Sequence, residues 1–169
     1  MSVALNIGTH AGAVEAEDLK GRYLVSLKLI ERLHRLLLDV IKDEFERLGR
    51  ADVNSVQALL LYNIGDAELT AGELTSRGYY LGSNVSYNLK KLVDAGYIDH
   101  QRSTTDRRSV RVKLTNRGQE ICRVVSGLYH RQLKSLQQVG GIGTDDLETM
   151  NKALIRMERF WTDQILYRL

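Results

Sequence analysis

Apolar residues recur along this chain with two different periods. Between Asp18 and Leu48 they fall at Leu24, Leu27, Ile30, Leu33, Leu37, Ile41, Phe45 and Leu48, the three-to-four spacing of one helical stripe. One long helix is predicted there. Residues 1–17 lack a strong period and read as a loose arm. "LGRADVNS" interrupts the helix, and "NSVQALLLYNIG" reads as a short buried helix capped by Asn54 or Ser55 and closed by Gly65. Thr70 then opens "TAGELTSRG", a capped short helix with Gly78 near its end, and "LGSNVSYNLKKLVDAG" follows as another, closed by Gly96. Two short helices joined by a tight glycine-containing link predict a helix-turn-helix.

Beyond Gly96 the period drops to two. "YIDHQR" and "SVRVKLT" alternate apolar with polar residues and are joined by "STTDRR", so they predict a two-stranded hairpin, the wing of a winged helix. Thr115 is placed to cap a helix from Asn116 to about Val139, which "GGIG" ends. Thr144 is expected to cap the last helix, with Asp145 and Asp146 at its positive end. There Leu147, Met150, Leu154, Met157, Trp161 and Ile165 step by three or four. The fold class is therefore mainly α with a small β-wing, a winged helix-turn-helix with N- and C-terminal dimerisation helices. Its parts are an arm (1–17), a dimerisation helix (18–48), the winged helix-turn-helix (52–118) and C-terminal dimerisation helices (119–169). The last stripe has near-heptad spacing, and with Phe160 it offers more apolar surface than a small winged core covers. A partner helix is expected against Leu154, Phe160, Trp161 and Ile165. The alternative is that the first and last helices pack on each other within one chain.

Composition adds limits. A chain of 169 residues, 43% hydrophobic and 27% charged, buries one ordinary core. Its single cysteine, Cys122, excludes a disulfide framework within the chain and fits a reducing, cytoplasmic setting. No secretory pattern opens the chain and no apolar run approaches ~18 residues, so no membrane partner is expected. His10, His34, His100 and His130 stand singly, without HxxxH or CxxC spacing. "GGIG" lacks the lysine of a phosphate loop, and no nucleophile elbow is present. Neither a metal, a cofactor nor an enzyme is expected.

Charge changes the picture once it is divided along the chain. From Glu73 to Gly118 nine basic residues face four acidic ones, a surplus of five in a chain whose total is +3. The remainder is net acidic, and the basic segment is a local footprint suited to phosphates; the alternative is a solvated charged face. In "LGSNVSYNLKKLVDAG" the inward residues are Val85, Leu89 and Leu92. Ser83, Tyr87, Lys90 and Asp94 then centre on the opposite face, flanked by Asn84, Ser86 and Lys91. Hydroxyls, an amide, a phenol and ammonium groups suit the major groove of double-stranded DNA. At the hairpin tip Arg107 and Arg108 can reach the minor groove. Asp106 can hold Arg108 by a charge-assisted hydrogen bond, or it is an ordinary turn residue. Arg111 and Lys113 emerge on one face of their strand while Val110, Val112 and Leu114 pack inward.

"DRRSVRVKLTNRG", residues 106–118, resembles the DxRxxxVxLTxxG wing signature of the MarR family of winged-helix transcription regulators, through Asp106, Arg108, Val112, Leu114, Thr115 and Gly118. The resemblance extends in helix order over nearly the whole chain. It implies a homodimer on a pseudo-palindromic operator, recognition helices in successive major grooves and wing arginines in the minor groove. One departure is Gly78, followed by "YYLGSN", where the family places a leucine. The string "RGYYLGSNVSYNLKKL" resembles an alphaproteobacterial branch that includes a regulator of an L,D-transpeptidase, a cell-wall remodelling enzyme. Many members respond to small aromatic effectors, and by position Leu37, Leu60, Leu61 and Tyr62 line such a pocket or are plain core. Cys122, beside Ile121, is a redox sensor as in some relatives or a packed thiol. A DNA-binding dimer without an effector, imposing or relieving silencing, is the alternative function.

Overall fold

In a computed structural model the described residues are 7–70, 73–74, 82–102 and 110–167, with side chains described at all of these except 7–14, 82–85, 101–102 and 110. Helix α1 spans Ile7–Arg47. The arm expected over 1–17 is thus helical from Ile7 on, and residues 1–6 lie outside the described part. No apolar stripe marks that extension. It is helical because Ala11, Ala13, Glu15, Ala16 and Glu17 are strong helix formers. Lys20 with Glu17 (3.4 Å) and Arg22 with Asp18 (2.8 Å) add ion pairs at helical spacing.

Among the described side chains of α1, the buried apolar ones are Ile41 and Phe45, in its last turns. Glu44 is buried beside them and accepts two hydrogen bonds from Arg47, Nη2 to Oε1 at 2.7 Å and Nε to Oε2 at 3.0 Å. Farther back Val25, Leu29, Leu33 and Leu36 are exposed. Leu33 belongs to the stripe expected from the sequence yet lies exposed at its edge, and Val25, Leu29 and Leu36 extend the apolar surface beyond it. This helix has more apolar surface than its own core uses.

Helix α2 (Ser55–Ile64) begins at Asn54, whose side chain accepts from the Gln57 N–H (2.9 Å) while the Gln57 side chain accepts from the Asn54 N–H (3.1 Å). Ala58, Leu59, Leu60, Leu61 and Ile64 are all buried. Strand β1 (Leu69–Thr70) follows, and it pairs with β3 (Val110–Leu114), which also pairs with β2 (Ile98–Arg102). The sheet is therefore three-stranded and antiparallel, in the order β1-β3-β2. The expected two-stranded wing gains a strand that two residues are too short to announce by alternation. Thr70 also opens the next helix: its Oγ1 accepts from the Glu73 N–H (3.1 Å), and the Glu73 carboxylate accepts from the Thr70 N–H (2.6 Å). Glu73 and Leu74 are helical; the rest of that expected helix, with Gly78, lies outside the described residues.

Helix α3 (Gly82–Asp94) ends in a left-handed glycine. Gly96 has φ +76°, its N–H donates to the Val93 carbonyl (2.9 Å), and the Tyr97 N–H donates to the Leu92 carbonyl (2.8 Å). This is the Schellman arrangement, with Leu92 and Tyr97 both buried as its apolar pair. Helix α4 (Asn116–Gln138) starts directly against it. The Tyr97 carbonyl accepts from the Thr115 N–H (3.1 Å), and Thr115 Oγ1 donates to the Gly96 carbonyl (2.8 Å) while accepting from the Gly118 N–H (3.2 Å). The expected Thr115 cap is present. A Cβ on Gly118 would lie 2.2 Å from the Tyr97 carbonyl oxygen, so this seam is open only to glycine. The LTxxG spacing thus has a physical reason: leucine for the core, threonine as cap and tie, glycine for backbone contact.

The chain divides into two units, Met1–Cys122 and Arg123–Leu169. The first holds the core just described. The second contains the remainder of α4 and helix α5 (Thr144–Tyr167). Gly143 rather than Thr144 takes the capping position: its carbonyl accepts the Leu147 N–H (3.1 Å), and its own N–H donates to the Asp146 carboxylate (2.9 Å). The Asp146 carboxylate, at the third helical position, thus supplies the half of a capping box that reaches back to the capping residue. Among the described residues of this unit only Val125 and Leu128 are buried, and α5 has no buried residue. Of the residues expected at a dimer interface, Leu154 (38%), Phe160 (54%) and Ile165 (78%) are exposed and Trp161 is half-buried.

Replacing Gly118 with alanine is expected to cost at least about 3 kcal/mol of stability, the upper end for forcing atoms into a filled site. Urea unfolding of both proteins measures it. An unchanged midpoint would mean that the backbone seam yields freely.

Candidate nucleic-acid interface

Helix α3 turns Leu89 and Leu92 into the core and leaves Ser86, Tyr87, Lys90, Lys91 and Asp94 exposed. That is the division expected from the helical period. Ser83, Asn84 and Val85 are on the same helix, though their side chains lie outside the described ones. Tyr87 is 59% exposed, and the Lys91 ammonium stands 4.9 Å from its ring centroid. This cation–π contact holds a phenol and a positive charge together on the open face.

The sheet places the second set of basic groups. Ile98 faces Leu114, His100 faces Val112 and Asp99 faces Lys113 across the β2–β3 ladder. Val112 and Leu114 are buried while Arg111 and Lys113 are exposed, which is the expected alternation. Arg111 is also paired with Thr70 on β1, so the basic strand is held from both sides. Asp106, Arg107 and Arg108 lie outside the described residues.

What keeps α3 in place is a polar cluster that the sequence did not announce. The Arg50 guanidinium donates to Asp52, Nη2 to Oδ2 at 2.9 Å and Nε to Oδ1 at 3.3 Å. The Tyr97 hydroxyl donates to the same Asp52 Oδ2, and Arg117 Nη2 lies 3.9 Å from it. Arg117 also sits 4.3 Å from the Tyr97 ring centroid, and its Nη1 donates to the Ala95 carbonyl (2.8 Å). Hydrogen bonding from Arg50, then from Tyr97, holds the Asp52 carboxyl well below the usual carboxylate range, against the opposing effect of its partial burial. Burial, with the bond to Asp52, pushes the Tyr97 phenol up. Residues 50–52, 95–97 and 117 have no local pattern in common. A buried tyrosine directly after a helix-closing glycine is the one signal that pointed toward a partner.

The four residues considered for an effector pocket are spread over core positions. Leu60 and Leu61 are fully buried, and Leu37 and Tyr62 are half-buried. A hollow of about 420 Å³ opens elsewhere, between α3 and the sheet, with Leu89, Val93 and Val112 as its apolar part and Ser86, Lys90, Asp94 and His100 around them. Cys122 is half-buried. Among the described residues no group of three or more His, Cys, Asp or Glu side chains is placed to hold a metal ion. No helix among them is long and apolar enough to cross a membrane.

A capped helix leading into a second, polar-faced helix, followed by a basic hairpin on a three-stranded sheet, defines a winged helix-turn-helix protein. The MarR family profile matches residues 51–109. The exopolysaccharide II synthesis transcriptional activator ExpG of Rhizobium meliloti (strain 1021) is 36% identical over 156 residues, which cover 90% of this chain and 78% of that protein. Among solved structures, a MarR protein from Peptoclostridium difficile superposes with a TM-score of 0.69 at 16% identity, covering 85% of this chain and 91% of that one. Streptococcus pneumoniae FabT, crystallised in complex with DNA, gives a TM-score of 0.61 at 22% identity over 84% of this chain and 98% of that one. The chain belongs to the MarR family of DNA-binding transcription regulators, which are not enzymes.

Asp52→Asn is expected to lower stability at neutral pH by about 1–2 kcal/mol. The folded-state pKa of Asp52 lies below its unfolded value of about 3.9, so its contribution is fully present above that pH and is lost as pH falls toward the folded value. The gap between wild type and variant in urea unfolding should hold from about pH 7 to 5 and shrink below about pH 4. A gap still undiminished at about pH 3 would contradict the ion pair.

Proposed function

We propose that this chain is a sequence-specific transcription regulator that binds a pseudo-palindromic operator as a homodimer, in the cytoplasm. Helix α3 enters the major groove with Ser83, Asn84, Ser86, Tyr87, Lys90 and Lys91. The wing follows the backbone with Arg111 and enters the minor groove with Arg107 and Arg108, positioned by Asp106. The observation that carries this reading is the exposed, cationic and hydroxyl-bearing face of α3 beside a basic strand that turns Val112 and Leu114 inward and leaves Arg111 and Lys113 exposed. Dimerisation draws support from the exposed apolar residues of α1 and α5, which would leave two large patches in water on a lone chain. Leu154, Phe160, Trp161 and Ile165 belong to that interface.

Target genes for the cell surface fit best. The 36% identical relative is named as an activator of exopolysaccharide synthesis, and the resemblance of residues 77–92 to the branch with a cell-wall remodelling regulator points the same way. A small aromatic effector completes the proposal. The hollow between α3 and the sheet, apolar within and bordered by Lys90 and His100, offers such a molecule contact with the recognition helix itself. An effector acts only if it favours one state of the protein over another. A regulator without an effector is the second reading, and titrating candidate aromatic acids against operator binding separates the two.

Selection of bound genomic fragments, followed by affinity measurements on the best one, tests the function. Arg108→Ala is expected to weaken specific binding by about 1–3 kcal/mol, the range for one good groove contact, with the dimer intact. Equal operator affinity in variant and wild type would contradict the wing assignment. Trp161→Glu is expected to shift the protein from dimer toward monomer in sedimentation and to abolish most specific binding, because a single half-site forfeits the second set of contacts. A fully dimeric variant would remove Trp161 from the interface.

A further inference from the structure

Arg117 stands where elementary electrostatics disfavours it. It lies in the first turn of α4, at the positive end of a 23-residue helix whose first turn holds no acidic residue, and cations destabilise that end. Its contacts supply the reason. The guanidinium reaches away from its own helix to the C-terminal end of α3, where Nη1 donates to the Ala95 carbonyl at 2.8 Å. It lies against the Tyr97 ring at 4.3 Å and has its Nη2 at 3.9 Å from Asp52 Oδ2. A cation that is unfavourable at one helix start is favourable at the other helix end, where carbonyls lack helical partners. The wide, planar fork reaches the Ala95 carbonyl with one nitrogen while its cation stands over the Tyr97 ring, a geometry that a compact ammonium group does not reproduce.

We propose that Arg117 is a positioning residue for DNA recognition: it fixes the angle at which α3 leaves α4, and with it the half-site spacing that the dimer reads. This rests on the operator-binding dimer proposed above. Thr115 and Gly118 pin the end of α3 to α4 at one point, through Gly96 and Tyr97. Arg117 adds an attachment on Ala95 to that seam and to the packing of Leu89 and Leu92, and its loss lets the end of α3 tilt. The lever is long enough to matter. Helix α3 has 13 residues and so is about 20 Å long at ~1.5 Å per residue. A tilt of about 10° about its C-terminal end moves its N-terminal end by about 3 Å, close to the ~3.4 Å rise of one base pair.

The test uses the full chain and its selected operator, together with duplexes in which one base pair is added or removed between the half-sites. Wild type, Arg117→Ala and Arg117→Lys are compared for affinity and for its salt dependence. Wild type is expected to discriminate between the natural and altered spacings by about tenfold or more, and both variants by about threefold or less. Arg117→Lys should keep the wild-type salt slope, since its charge is unchanged. Undiminished discrimination in both variants overturns the proposal while leaving the operator-binding reading intact. So does a uniform loss at every spacing in Arg117→Ala, with a salt slope smaller by about one and no loss in Arg117→Lys, which would make Arg117 a phosphate contact. Absence of selective binding by wild type overturns the parent reading, and the proposal with it, before any variant is compared.

Discussion

The first structural unit hangs on one residue, Tyr97. Its N–H closes α3 by donating to Leu92, its carbonyl receives the Thr115 N–H at the start of α4, and its hydroxyl binds Asp52 in the turn between α1 and α2. Its ring is buried to 1% exposure. Three segments far apart in sequence are thus joined through one side chain and one peptide unit. The contact works only because Gly118 has no Cβ to oppose the Tyr97 carbonyl. The role proposed for α3 requires it to meet a base edge to within fractions of an ångström, and its trailing end is held by main-chain bonds rather than by packing alone.

Around that anchor, charge and apolar surface are divided between different tasks. The basic residues that are described on α3 and β3 project into water, while their strand and helix neighbours fill the core. The acidic surplus lies elsewhere in the chain. In the proposed complex, phosphate would meet a concentrated field and not the weak average charge of the molecule. Exposed leucines, isoleucines and aromatics gather on α1 and on α5. In the proposed homodimer a second copy would present the same pattern by symmetry.

Much of this was legible in the sequence because the signals were local. Asn54 with Gln57, Thr70 with Glu73 and Thr115 with Gly118 mark helix starts through bonds that span three residues, and the alternation of Val112 and Leu114 with Arg111 and Lys113 marks β3. The misses were of two kinds. The N-terminal extension of α1 is helical by the propensity of its alanines and glutamates, where no stripe draws attention, and β1 is two residues whose pairing depends on Arg111 and Val112, far along the chain. The Arg50–Asp52–Tyr97–Arg117 cluster depends wholly on tertiary proximity. Each of its members is an ordinary residue in its own segment, and only the folded chain brings the carboxylate under the phenol and between two guanidinium groups. The capping position before α5 falls one residue earlier than expected, at Gly143, whose N–H donates to Asp146 three residues on.

Hydroxyl-radical footprinting of the full-length protein on its highest-affinity genomic fragment would test the central claim most directly. The account predicts a two-fold symmetric pattern. Two protected half-sites should lie one helical turn, about 10–10.5 base pairs, or a multiple of it apart, with further minor-groove protection where each wing reaches. An asymmetric or single-site footprint, or uniform weak protection along the fragment, would contradict it.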